Sequence, residues 1–147
     1  MLGLLDSCGV DYLLVGGLAL AAYAEPRATK DMDLWLRSSP DNARKLFAAL
    51  AQFGAPVHGA TAADFETPGT FLQLGVPPVR IDLLTTIDGV AFEGAWRRRV
   101  ESVIDGTKVP VISRKDLITN KRAAARAQDL VDVTTLEGLA KKGTPRG

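Results

Sequence analysis

Asp31 and Asp33 lie two residues apart in the stretch Asp31-Met32-Asp33-Leu34-Trp35-Leu36-Arg37, which alternates apolar and polar side chains. Read as a strand, this segment turns Met32, Leu34 and Leu36 to one face and Asp31, Asp33, Trp35 and Arg37 to the other. The two carboxylates then project together, with Cα atoms roughly 6.5–7 Å apart at the usual strand rise. Like charges so placed repel, and each is penalised if desolvated. A solvated edge tolerates such a pair, and so does a site where a cation sits between them. Hard oxygen donors of this kind suit Mg²⁺ or Mn²⁺. Asp-x-Asp alone is a common chance pattern, but Asp82 adds weight to it. In Val79-Arg80-Ile81-Asp82-Leu83-Leu84 it opposes an apolar face made by Val79, Ile81 and Leu83. If the two strands are neighbours, three carboxylates converge. Such a set can hold two cations about 3.5–4 Å apart, the arrangement used for in-line phosphoryl chemistry.

Other elements must position these acids. Tyr12–Val15 reads as a short apolar strand, followed by Gly16-Gly17 and an Ala- and Leu-rich helix over Leu18–Ala24 that Glu25-Pro26 ends. Glycines between a strand and a helix let the backbone approach a ligand, and N–H groups at a helix start favour an anion. The pattern is neither the dinucleotide Gly-x-Gly-x-x-Gly nor a P-loop, since no Gly-Lys-Ser/Thr follows. Simple tight packing is the plainer reading of the two glycines taken alone.

The remaining chain supplies a scaffold. Met1–Ser7 reads as a short helix closed by Gly9. Ser39 caps a helix with Pro40 at its first position, Ala43, Leu46, Phe47, Leu50 and Phe53 on its core face, and Gly54 at its end. A loop over Ala55–Gly69 carries a short helix near Ala62–Phe65. Thr70–Leu74 and Val79–Thr85 form a hairpin around Gly75-Val76-Pro77-Pro78, and Val100–Ile104 and Lys108–Ile112 another around Asp105-Gly106. Ser113 caps a helix to about Arg126, and a last helix covers about Gln128–Ala140. These elements predict an α/β (α+β) fold, a mixed central sheet flanked by helices. They predict one domain over 1–147, with a core over about 10–112 and a helical C-terminal part over about 113–141.

Composition narrows the partners. With 147 residues and a net charge of +1, no global field draws nucleic acid or acidic membrane, so phosphate binding rests on local cations. The single cysteine, Cys8, excludes an internal disulfide and fits a reducing cytoplasm. The apolar runs are too short to span a bilayer, and no basic region precedes an apolar core at the N-terminus. A cytoplasmic protein without membrane contact is expected.

The order of these motifs resembles the DNA polymerase β-like nucleotidyltransferase superfamily. Its signature is a hydrophobic strand, Gly-Gly or Gly-Ser, a gap, Asp-x-Asp on the next strand, and a third Asp on a later one. Here Val15-Gly16-Gly17 is followed by thirteen residues, Leu18 to Lys30, and then by Asp31-Met32-Asp33, with Asp82 further on. Arg27-Ala28-Thr29-Lys30-Asp31, Asp116 to Lys121, and Asp129-Leu130-Val131-Asp132 also resemble a small bacterial branch. That branch includes minimal nucleotidyltransferases and the abortive-infection type toxins of toxin–antitoxin pairs. Lys121, Arg126, Asp129 and Asp132 fit its C-terminal pattern. Related sequences place Gly and Pro around the Arg, where this chain has Ala125 and Ala127, so closer to continuous final helices are expected here.

The resemblance implies roles. Asp31 and Asp33 would hold two Mg²⁺ ions, and Asp82 would hold the catalytic metal and help deprotonate an acceptor hydroxyl. Gly16 and Gly17 would cradle a nucleoside triphosphate (NTP) such as ATP. The reaction would move a nucleoside monophosphate to the hydroxyl and release pyrophosphate. The acceptor stays open among tRNA or other RNA, a protein hydroxyl and a small molecule, and an antitoxin partner is open as well. The competing reading is a catalytically silent member of the fold that binds nucleotide or protein.

Several cations are candidates for phosphate. Arg27 and Lys30 precede the Asp pair. Lys121 shares the apolar face of its helix with Leu117 and Ile118, so it either snorkels outward or points at the acidic cluster. Arg80 shares the face of Asp82 and is placed to pair with it. Arg97-Arg98-Arg99 reads as a solvated charge run that an RNA backbone or acidic partner could also use. Trp35 reads as core packing or a base-stacking platform, and His58 as an ordinary loop histidine.

Overall fold

The sheet grows outward from two apolar strands. β1 (Tyr12–Val15) is buried along its length and runs antiparallel to β2 (Asp31–Leu36), with Val15 opposite Asp33 and Leu13 opposite Trp35. On the far side of β2 lies β4 (Arg80–Leu84), parallel to it, and β3 (Phe71–Leu74) closes that edge antiparallel to β4. On the far side of β1 lies β6 (Thr107–Val111), parallel to it, followed by β5 (Val100–Ile104) at the other edge. The order is β3-β4-β2-β1-β6-β5, one mixed six-stranded sheet, as the strand patterns predict. The computed structural model describes residues 1–24, 31–54, 56–75, 80–104 and 106–141, and side chains to 138. Val76–Val79 and Asp105, at the expected turns, lie outside them.

Helices pack around this frame. α1 (Leu2–Ser7) packs on α3 (Pro40–Phe53) and touches β6. α3 is held at its start as the sequence implies: Ser39 Oγ accepts from Asn42 N–H at 3.1 Å, and Gly54 ends the helix in the left-handed region at φ 80°. Asn42 adds a tie that periodicity does not show. Its buried amide accepts from the Asp11 N–H at 2.7 Å and donates to the Asp11 and Arg37 carbonyls, both at 3.0 Å. This joins α3 to the start of β1 and the end of β2, which fixes the height of the Asp31–Asp33 segment. A 3-10 helix over Ala62–Glu66 stands where the short loop helix is expected, and its Phe65 is buried.

Three expectations change. α2 (Gly16–Leu20) begins at the glycines instead of after them, and the chain from Ala21 to Ala24 turns instead of continuing the helix. α4 (Phe92–Arg97) is an element that the sequence reading leaves out. It is a single short turn with no side-chain cap, too brief for a 3.6-residue period to register. The C-terminal helices α5 (Arg114–Ala124) and α6 (Ala127–Lys141) are separate, not near-continuous. Ala125 takes the left-handed conformation, φ 56° and ψ 24°, and does the work of a glycine. α5 and α6 then pack on each other, with Arg114 Nη1 at the start of α5 donating to the Leu136 carbonyl far along α6 at 3.4 Å.

Candidate active site

The parallel pairing of β2 and β4 sets Asp33 directly opposite Asp82 and Asp31 opposite Arg80. Residues in register on neighbouring strands project to the same side of a sheet. Asp31, Asp33 and Asp82 therefore share one face, and all three line one cavity of about 480 Å³ together with Gly16, Phe71 and Arg126. Each outer carboxylate has a neutralising or polar neighbour. Arg80 Nε and Nη2 donate to the two oxygens of Asp31 at 3.2 and 3.3 Å, so Arg80 pairs with Asp31 and not with Asp82 as expected. Gln73, opposite Asp82 on β3, donates from Nε2 to Asp82 Oδ1 at 3.1 Å.

Asp33 is the central and most strained of the three. Burial, the charge of Asp82, a hydrogen bond shared with Asp82 and the charge of Asp31 push its carboxyl up to about 6, and Arg126 only partly offsets this. The carboxylate also requires the glycine beside it. Gly16 sits at φ +73°, and a Cβ built there would fall on an Asp33 carboxylate oxygen and lie 3.0 Å from its Cγ. Gly17 follows in the first turn of α2.

The donor set fits a divalent cation. Three hard carboxylates share a face, and the middle one binds its proton more tightly than an ordinary carboxyl, because burial and its acidic neighbours outweigh Arg126. Among the described residues no three acid, His or Cys side chains already stand as a closed cation cage. Arg80 and Gln73 bond to oxygens of Asp31 and Asp82 that a cation would take, so a bound cation would compete with these two side chains.

The rim opposite the sheet comes from α5, its end, and the turn after β4. Asn120 Nδ2 donates to the Asp88 carbonyl at 3.0 Å, and both residues line the cavity. Gly89 lets that turn press on α5, since a Cβ there would lie 2.8 Å from Ala123 Cβ. Arg126, freed from helix by the break at Ala125, reaches over the acids. Its side chain is largely exposed, and its Nε is held by Asp129 Oδ2 at 2.6 Å. Asp129 is buried; its Arg126 bond and the charges of Arg126 and Lys121 outweigh burial and hold its carboxyl below the usual range.

Lys121 is not brought to the carboxylates of the sheet. It is 4 % exposed, and its Nζ lies 2.9 Å from Asp132 Oδ2 and 3.5 Å from Asp129 Oδ1, between α5 and α6. The apolar-face position meets neither a snorkel nor a phosphate lysine; it meets two buried acids on the next helix. Arg27 and Lys30 lie outside the described residues. Trp35 is buried under Phe92, ring centroids 5.1 Å apart, and offers no free face to a base. The arginine run is divided: Arg98 forms a two-point bond with buried Asp116 at 2.9 Å, and Arg99 stacks 4.0 Å from the Trp96 ring. His58 is exposed in its loop. Sequence reasoning gave no role to Phe71, Asp88 or Asn120. Only the alternation of β3, which sets Phe71 and Gln73 on one face, could have pointed to the first.

The whole arrangement has counterparts. Residues 1–145 match a family described as nucleotidyl transferase of unknown function (DUF2204). No curated protein matches the sequence. Among solved structures, the lincomycin-bound lincosamide antibiotic adenylyltransferase LnuA is similar, at TM-score 0.61 and 16 % identity, covering 94 % of this chain and 92 % of that one. The antibiotic-resistance factor ANT(2'')-Ia is similar at TM-score 0.65 and 16 % identity, over 97 % of this chain and 82 % of that one. A nucleotidyltransferase-like antigenic protein from Paracoccidioides brasiliensis follows at TM-score 0.52 and 19 % identity, over 94 % and 72 %. At these identities the structures speak for the fold. With three acids on adjacent strands beside a required glycine, and a match over nearly its full length, the chain belongs to the DUF2204 family of nucleotidyl transferases.

Proposed function

We propose that this nucleotidyltransferase is Mg²⁺-dependent and moves a nucleoside monophosphate from an NTP to a hydroxyl on an acceptor. The observation that carries the reading is the register of Asp33 with Asp82 across parallel strands, with Asp31 on the same face. Asp31, Asp33 and Asp82 are the residues that would hold Mg²⁺, with Mn²⁺ as a substitute. When bound, the cations supply positive charge to the phosphate and acidify the acceptor hydroxyl.

The chain's own groups divide the rest. Asp82 flanks the acceptor side and takes the hydroxyl proton as the new O–P bond forms and the bond to the β-phosphate breaks, releasing pyrophosphate. The backbone of Gly16 and Gly17 and the guanidinium of Arg126 face the triphosphate, with Arg27 and Lys30 as further phosphate contacts. Lys121 serves that end indirectly, through Asp129, which grips Arg126. Residues 1–147 act as one domain in the cytoplasm.

Two of the solved neighbours are bound to antibiotics or their adenylyl products, lincomycin in LnuA and adenylyl-2''-tobramycin in ANT(2'')-Ia, which supports a small-molecule acceptor as one option beside RNA or protein. The toxin half of a toxin–antitoxin pair is the finer form of the reading that the C-terminal motif supports. A second reading, a silent nucleotide-binding or protein-interaction module, is favoured by one observation: Arg80 and Gln73 already occupy oxygens of Asp31 and Asp82 that a cation would take. Incubation with α-labelled NTPs, Mg²⁺ and total tRNA or lysate separates the two. Label transfer that disappears in Asp33→Ala supports the enzyme; NTP binding with no transfer supports the module.

A further inference from the structure

Across the sheet, the cavity changes character strand by strand. Gly16, at the end of β1, and Arg126 above it offer donors and positive charge around Asp33. Beyond Asp82, the outermost acid, lies the edge strand β3. There Phe71, opposite Leu84 in register, stands on the same face and is 60 % exposed. Phe71, Leu84 and Ile87 form an apolar wall of the same cavity. A large exposed aromatic on an edge strand is an aggregation hazard that natural sheets usually remove. Here it borders Asp82, the acid on the strand next to β3.

Charge on that side is equally specific. No Lys or Arg occurs from Gly59 to Val79, nor from Ile81 to Trp96, while Asp64, Glu66, Asp82, Asp88 and Glu93 do. The one cation between those stretches, Arg80, is committed to Asp31. An RNA backbone is held by several Lys or Arg contacts to phosphate, and among the described residues β3, β4 and the turn after β4 supply none that is free of Asp31. An apolar ring face, by contrast, gains by covering Phe71.

Resting on the transferase reading above, we infer that the Phe71–Leu84–Ile87 wall beside Asp82 is the acceptor subsite. Its acceptor is a compact hydroxylated molecule, neutral or cationic, that lays an apolar face on the Phe71 ring. RNA is not its acceptor. The Asp88 carboxylate supplies a polar partner at the rim.

Phenyl β-glucoside, a neutral polyol with an apolar ring, is a suitable probe. Its binding is followed by ligand-observed NMR on the full chain with Mg²⁺ and ATP present, beside ATP affinity measured separately. The subsite predicts glucoside binding by wild type, weakened about tenfold in Phe71→Ser and recovered in part in Phe71→Leu, with ATP affinity unchanged. A short oligoribonucleotide leaves the bound glucoside in place. Equal binding by wild type and Phe71→Ser, no glucoside binding by wild type, or displacement by the oligoribonucleotide overturns the inference. So does a loss of ATP affinity in Phe71→Ser, because the ring then serves the nucleotide. Failure of wild type to bind ATP at all is a different result: it removes the transferase reading itself, and the subsite with it.

Discussion

The carboxylate of Asp33 occupies the space that a Cβ on Gly16 would need, with Cγ 3.0 Å and Cβ 3.2 Å from that position. Gly16 also sits at φ +73°, where a side chain costs about 1–2 kcal/mol. The glycine thus answers two demands, one of backbone and one of site. Gly54 separates them: it has φ +80° and nothing within 4 Å. Gly16→Ala should abolish nucleotide transfer and lower stability by more than Gly54→Ala, which should cost only about 1 kcal/mol and leave activity intact. Chemical denaturation and pyrophosphate release, run on both variants, check this.

Asp33 should cost the protein stability in the absence of metal. Its carboxyl is pushed up to about 6 by burial and by Asp82 and Asp31, against about 3.9 in an unfolded chain. A raised carboxyl pKa means that the folded state holds the proton more tightly, so stability falls as pH rises from about 4 to 6 and stays lowered above that. Asp33→Asn should therefore melt higher than wild type at pH 7.5 in chelator. The gain should vanish below about pH 4, where both states of wild type are protonated. Melting curves across that range read it directly.

The Lys121–Asp129–Asp132 triad predicts the opposite pH behaviour. Lys121→Met leaves two buried carboxylates without their shared cation, a loss of about 3–5 kcal/mol for a broken buried pair. Asp129 is held below its usual range, so its contribution is present above about pH 4 and is lost as pH falls through its folded value. The deficit of Lys121→Met should shrink in acid. Arg126→Ala still leaves Asp129 beside Lys121, so it should lower stability by less than Lys121→Met and weaken NTP binding as well. Urea titrations at two pH values and NTP binding distinguish the two residues.

Ala125 stands where a helix-ending glycine is favoured, at φ 56°. Ala125→Gly should stabilise the protein by about 1 kcal/mol, since relief of left-handed strain exceeds the added unfolded-state entropy. A shift of the denaturation midpoint to higher urea at constant slope is the expected result.

The acids were legible because a strand's two-residue period shows which side chains share a face, and Asp82 repeats the pattern of Asp31 and Asp33. Their adjacency was not, because strand order is a tertiary fact; the parallel pairing of β2 with β4 supplied it. Lys121 shows the limit most sharply. Helical periodicity placed it on the apolar face, correctly, but its partners Asp129 and Asp132 come from the following helix after a turn made by an alanine. Nothing in the residue type of Ala125 signals that turn, so the direction of α6, and with it the reach of Arg126, stayed hidden. Arg80 was read on the face of Asp82, its own strand neighbour, yet its guanidinium crosses to Asp31 directly opposite. Short α4 escaped because six residues without a polar cap carry no helix signal.

The central claim is that the face shared by Asp31, Asp33 and Asp82 performs the transfer. Pyrophosphate release from NTP, measured with Mg²⁺ and cell lysate as acceptor source for wild type and Asp82→Asn, tests it most directly. The expected result is Mg²⁺-dependent release by wild type and a fall of at least about a hundredfold in Asp82→Asn, with folding and NTP binding retained. Equal release by the two proteins, or NTP binding by wild type with no release under any of these conditions, would contradict it.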